Sequence, residues 1–200
     1  MNVFYLDQNP ATSAQLHCDK HVVKMCTEYA QLLSTAHRVL DGVPYFEENN
    51  GKKVKRWKLW DNSDLYLYKA THINHPSAVW ARASNENYEW LTLHWIYLLE
   101  EYKYRYGKDH AAGKLRFALM NIPRLIPLAI TWSDPPPAMP KECIVYDEYG
   151  YEDVVASYRN YYVLKKNHFA KWTNREIPEW YSQGVLNLMV SENEAMGLYD

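Results

Sequence analysis

The sequence predicts a mainly α protein: one compact helical domain with a single small β-hairpin near residues 43–60. Three observations predict it. Apolar residues recur at spacings of three and four over long stretches. Helix-start and helix-stop residues bracket those stretches, as Asn9-Pro10, Ser84-Asn85 and Gly107 do. One hairpin-type turn signal, Asn49-Asn50-Gly51, separates two short apolar runs. The chain's 200 residues suit one domain over 1–175, with 176–200 as a C-terminal tail that can pack on it.

Taken in order, Val3–Leu6 is a short apolar run, either a strand or a buried lead-in. Asn9-Pro10 opens a helix that the periodicity carries unbroken to Leu40, stopping at Asp41-Gly42. Its apolar stripe is Cys18, Val22, Met25, Tyr29, Leu32, Ala36 and Val39. Residues 61–70 read as a short helix, and His72-Ile-Asn74-His75-Pro76 as a loop. A second long helix starts at Ser84 or Asn85, with Tyr88, Leu91, Trp95, Leu98 and Tyr102 on one face, and ends at Gly107. Another helix is expected over 108–120, extended loop over the proline-rich 121–140, and helix over 153–169.

Composition narrows the function classes. Twenty-two basic and 24 acidic residues leave a net charge of −2, without the global basic excess of a general nucleic-acid clamp. Three cysteines exclude a disulfide framework and fit a reducing compartment. MNVFYLDQNP has no basic leader, and no run approaches the ~20 apolar residues of a membrane span. The expectation is a soluble, cytoplasmic protein with no membrane partner. The excess lies in rings, 18 Tyr, 8 Trp and 4 Phe, and in 8 His, five of them before residue 76. Most rings are expected in the core, where Tyr and Trp bury area and keep a polar tip.

The most informative stretch is His17 to Glu28. On one continuous helix His17, His21, Lys24, Glu28, Gln31 and Thr35 share a face opposite the apolar stripe, with Lys20 and Arg38 beside it. Two imidazoles, amines, a carboxylate and an amide form a toolkit for nucleophilic and general acid–base work. The competing reading is an ordinary solvated helix face, which is more often a Glu/Lys mixture. A second cluster, Asn74 and His75 after His72, precedes another helix that carries Arg82. His17 and His21 also stand four apart, a spacing that can hold a metal; no H-E-x-x-H pattern accompanies it, and no metal or other cofactor is assigned. A basic strip, Lys52, Lys53, Lys55 and Arg56, interleaves with Trp57, and cations with rings can track phosphates and stack on bases. Exposed strand residues around a core ring explain the same pattern.

Cys18-Asp19-Lys20-His21-Val22-Val23-Lys24-Met25-Cys26-Thr27-Glu28 resembles the first helix of the phage-type pyrimidine-dimer DNA glycosylases, small helical enzymes of the endonuclease V class. Asp19, His21 and Glu28 keep that family's spacing. Asn74-His75-Pro76, the helix ending Tyr104-Arg105-Tyr106-Gly107, and Met139-Pro140 resemble later family steps, so that the pattern spans roughly residues 3–145. The chain is also similar to phage-encoded proteins of about this size. The resemblance implies a DNA N-glycosylase/AP lyase: an amine attacks C1′ of the nucleotide, the base leaves and a Schiff base forms. Glu28 inherits the carboxylate role, Met1 or Lys24 supplies the amine, and His21 joins the catalytic group. His17, Lys20, Gln31, Arg38, Asn74, His75 and Arg82 contact substrate. Two departures stand out. Residue 2 is Asn, so the resemblance implies that Met1 is retained, and Thr27 and Gln31 stand where the family places Arg. The expected partner is DNA or a nucleotide, in the host cytoplasm if the chain is phage-encoded. The alternatives are a non-catalytic module binding nucleotide, nucleic acid or a host protein, and a His-based metallohydrolase.

Overall fold

The computed structural model describes residues 1–128 and 131–195. Within the proline-rich 121–140 stretch, 129–130 lie outside the described residues, as do 196–200 of the tail. The described residues form seven α-helices and two small antiparallel strand pairs, the mainly α architecture the sequence predicts.

The expected first helix is two helices. α1 (Pro10–Leu16) is capped by Asn9, whose side chain accepts from the Ala11 and Thr12 amides. The chain then turns at His17-Cys18 and restarts as α2 (Asp19–Asp41). The break is held from far along the chain. The Asp19 amide donates to the Lys171 carbonyl at 2.8 Å, and the Asp19 carboxylate accepts from the Thr173 amide and hydroxyl. No periodicity within residues 10–40 carries that information.

α2 packs against α4 (Asn85–Tyr106), which Ser84 caps and Gly107 ends. The two run antiparallel: Asp19 meets Arg105 at one end and His37 meets Tyr88 at the other. Between them the Trp95 indole donates to the Cys26 carbonyl at 2.8 Å. The predicted apolar faces of both helices are buried, apart from the half-buried Val39 and Tyr102. The N-terminal run Val3–Leu6 is an extended, buried lead-in. Its Phe4 amide donates to the Tyr29 hydroxyl, and its Leu6 carbonyl accepts from Arg159.

The hairpin forms as β1 (Val43–Asn49) and β2 (Lys52–Lys58), with Asn49 opposite Lys52. Its two turn residues, Asn50 and Gly51, both have positive φ, the backbone that an Asn-Gly pair adopts at least cost. Residues 61–70 form only one 3-10 turn (Asn62–Leu65), not a helix. The short α3 (Pro76–Ala81) follows. The helix expected over 108–120 is reduced to a 3-10 turn and the four-residue α5 (Arg116–Leu119). A two-residue strand pair, β3 (Val145–Tyr146) with β4 (Glu152–Asp153), precedes α6 (Val154–Lys165), which Asp153 caps.

The tail carries α7 (Glu179–Ala195), which rests on α6. Gly184 makes the close approach: a Cβ there would stand 2.6 Å from Val163 Cγ2. Gly184→Ala is therefore expected to cost about 1–3 kcal/mol by overpacking. Urea unfolding followed by tryptophan fluorescence measures it, and an unchanged midpoint would mean that α7 shifts freely on α6.

Candidate functional site

The site is assembled from three segments on one face of α2. Glu28 sits near the middle of the helix with its side chain 18% exposed, and its Oε1 meets Lys24 Nζ at 3.0 Å, one turn back. Its Oε2 is buried and has no hydrogen-bond partner among the described residues. Below it the N-terminal segment is pinned by Asn2 Nδ2, which donates to the Ala138 carbonyl at 2.6 Å, and Met1 packs partly buried against the core. Beside it lies the His72–His75 loop. Thr35, seven residues on from Glu28 and on the same face of α2, accepts from the Thr71 amide at 3.2 Å and fixes the loop there.

His75 joins the three segments. It caps α3, with Nδ1 accepting from the Ser77 amide at 3.2 Å. Its pKa is lowered, first by partial burial, then by the positive charges of the N-terminal ammonium and His72, while Glu28 pulls it back up. Met1, Glu28 and His75 thus share one electrostatic neighbourhood, although 74 residues separate the first from the last. Gln31 is half-buried on the same helix face, and Asn74 is exposed on the loop.

Lysines ring the N-terminal end of this surface. Lys20 Nζ stands 4.5 Å above the Phe169 ring, and Lys166 Nζ 4.4 Å above the Tyr161 ring. Lys166 and Lys24 both act on His21 from this side. Lys166 lies far along the chain from Lys20 and Lys24, and only the docking of α6 beside the N-terminal segment brings the three together.

Other predicted site residues are engaged inside the fold. His17 is not on α2 but at the end of α1, fully buried. Its Nδ1–H donates to the Ser13 carbonyl at 2.7 Å, and its Nε2 accepts from the Tyr29 hydroxyl at 3.2 Å. His21 is buried, stacked on Phe4 at 4.1 Å, and shares a 2.5 Å hydrogen bond with the Tyr162 hydroxyl through Nδ1. The expected solvated or substrate-facing helix face is, at its N-terminal end, the wall of a His–Tyr core. His94 stands 5.1 Å from His17, and its Nε2 has no partner among the described residues. Burial, first among the causes, depresses the pKa of all three imidazoles: His21 to about 3, His94 to about 4, and His17 well below its ordinary value.

Arg38 is a hairpin anchor rather than a substrate contact. Its guanidinium donates to the carbonyls of Trp57, Tyr68, Asp64 and Leu67 and pairs with the Asp64 carboxylate at 2.8 Å. Arg82 is half-buried and donates to the Ala78 carbonyl of its own helix at 2.6 Å. Glu101 is buried between Arg105 and Arg175. On the hairpin, Trp57 is buried, so its ring cannot stack on a ligand; Arg56 pairs with Glu47 at 2.6 Å, and Lys52, Lys53 and Lys55 remain exposed.

Among the described residues, no three His, Cys, Asp or Glu side chains converge as a metal-holding group. Nor, among the same residues, is any helix long and apolar enough to cross a membrane. Chemically, the arrangement offers a carboxylate with one sheltered oxygen, an adjacent lysine, the chain's first amine and an imidazole, rimmed by further lysines. No protein-family model matches the chain, and no curated protein or solved structure matches it either.

Proposed function

We propose that this surface is the active site of a DNA N-glycosylase/AP lyase-like enzyme acting on a damaged or modified base. One observation carries the reading: the carboxylate of Glu28 has one oxygen against an amine and the other buried without a partner among the described residues, beside an imidazole that also feels the chain's first amine. An unprotonated amine, from Met1 or Lys24, attacks C1′ as the C1′–N bond breaks, and the base leaves with that electron pair and takes up a proton. Loss of the amine's proton and opening of the sugar ring give an iminium. Removal of a 2′ proton then expels the 3′ phosphate and nicks the strand. Glu28 holds the positive charge that develops at C1′ and the nitrogen, and hands a proton to the ring oxygen. Lys20 and Lys166 face the phosphates.

Borohydride reduction during incubation with abasic-site DNA is the test. A covalent protein–DNA band is expected, and peptide mapping of the adduct assigns Met1 or Lys24. Glu28→Gln, nearly isosteric, should lower its rate of formation by about 10²-fold or more. If no adduct forms and no base is released, the enzyme reading fails. Retained DNA binding in that case would leave a non-catalytic module on the same surface.

A further inference from the structure

The hairpin and the turn that follows it leave several large apolar side chains in water. Trp60 is 82% exposed and Phe46 68%, and Leu65 and Tyr45 are also exposed. Around them stand cations in excess. β2 carries Lys52, Lys53, Lys55, Arg56 and Lys58 against Glu47 and Glu48 on β1. Only Arg56 of those five has a carboxylate partner among the described residues. Strand alternation puts Lys52 and Lys58 on the face that bears Val43 and Tyr45. There Val43, Tyr45, Lys58 and Trp60 line an apolar cleft of about 140 Å³. Tyr45 also borders a second cleft of about 180 Å³ with Arg56, Leu65 and Lys69.

Rings with open faces, lysines without a carboxylate partner among the described residues and a small apolar cleft between them match a strand whose bases are unpaired. A duplex hides its base faces and offers the lysines alone. The placement fits as well. Glu28, Gln31, Thr35 and Arg38 follow one another at three- and four-residue steps on one face of α2, and Arg38 anchors the hairpin by its bond to the Trp57 carbonyl. The hairpin therefore stands on the Glu28 side of α2, about 15 Å along the axis.

We infer that the hairpin is an arm for single-stranded nucleic acid. Trp60 and Tyr45 stack on bases, and Lys52 and Lys58 hold the phosphates. The inference deepens the proposed function but is read without chemistry. The experiment titrates a fluorescein-labelled, undamaged 12-nucleotide dT strand, and the matched duplex, against Glu28→Gln protein by anisotropy at two salt concentrations. The single strand should bind more tightly than the duplex. Trp60→Ala, an exposed position, should weaken it by about 5- to 100-fold. Lys52→Gln with Lys58→Gln should lower the salt slope by about 1.4. No binding of the strand, an equal or tighter duplex, or an unchanged affinity in Trp60→Ala overturns the arm. Strand binding lost in Trp60→Ala without any borohydride adduct upholds the arm while the lyase reading falls.

Discussion

Arg105→Met is expected to destabilise the protein by about 3–5 kcal/mol, the cost of leaving a buried charge without its partner. The Arg105 side chain is fully buried. It donates to Glu101 at 2.7 Å, to Asp19 at 2.9 Å and to the Gln15 carbonyl at 2.9 Å. Its loss strips the buried Glu101 of one of two arginines and leaves Asp19 to Thr173 alone. Arg175 remains, bonded to Glu101 through Nε and Nη2 at 3.0 and 2.7 Å, so the upper end of the range is not expected. For a chain of this size the melting point should fall by roughly 6–15 °C. Adding Glu101→Leu removes the orphaned carboxylate and should recover part of the loss. Calorimetry on both variants checks it, and a melting point within about 2 °C of the parent would refute the account.

Acid should unfold the protein well before its paired carboxylates protonate. His17, His21 and His94 are buried as neutral imidazoles whose pKa values lie below the ordinary 6.5, with His21 near 3 and His94 near 4. In the unfolded chain each takes a proton near pH 6.5, and in the folded chain none does until far lower. The unfolded state therefore binds more protons, so stability is complete above pH 6.5 and falls as pH drops through the window down to about 4. Each histidine contributes about 1.4 kcal/mol per pH unit, and three together about 4. A typical stability of about 5–15 kcal/mol would be exhausted roughly one to four units down. The lowered carboxyl groups of Asp64 and Glu47 act only below their ordinary values and add nothing near pH 6. Urea titrations at pH 7, 6 and 5 measure the slope. His94→Phe should reduce it by one proton, and a stability unchanged from pH 7 to 5 would contradict the burial of neutral rings.

The elements visible in the sequence are those whose signals are local. Asn9, Ser84 and Asp153 cap their own helices, Asn50-Gly51 sets its own turn, and the α4 face from Tyr88 to Leu98 repeats at helical spacing. What the sequence hid depends on distant partners. The break at His17-Cys18 needs Lys171 and Thr173, and the stretch 11–40 contains no Gly or Pro to announce it. At α7 the residue that seats the helix closest on α6 is Gly184, which has no side chain to add to an apolar period. At the candidate site, Glu28, Lys24 and His75 were legible as residue types. Polarity alone could not separate His21, facing the Tyr162 hydroxyl, from Lys24, facing water. Nor could it separate Trp57, turned into the body, from Trp60, left outside.

The late partners of the N-terminal segment have a consequence for synthesis. Leu6 receives Arg159, Asp19 receives Thr173 and Leu16 receives Trp172, across separations of 153 to 156 residues. A ribosome adding about 5–20 residues per second needs roughly 8 to 30 s to deliver them. For that interval Val3–Leu6 has emerged without Arg159 and Tyr158, which bond to it and pack on it, while α1 already has α4 beside it. The N-terminal segment therefore stays without these contacts until α6 and the residues after it are made.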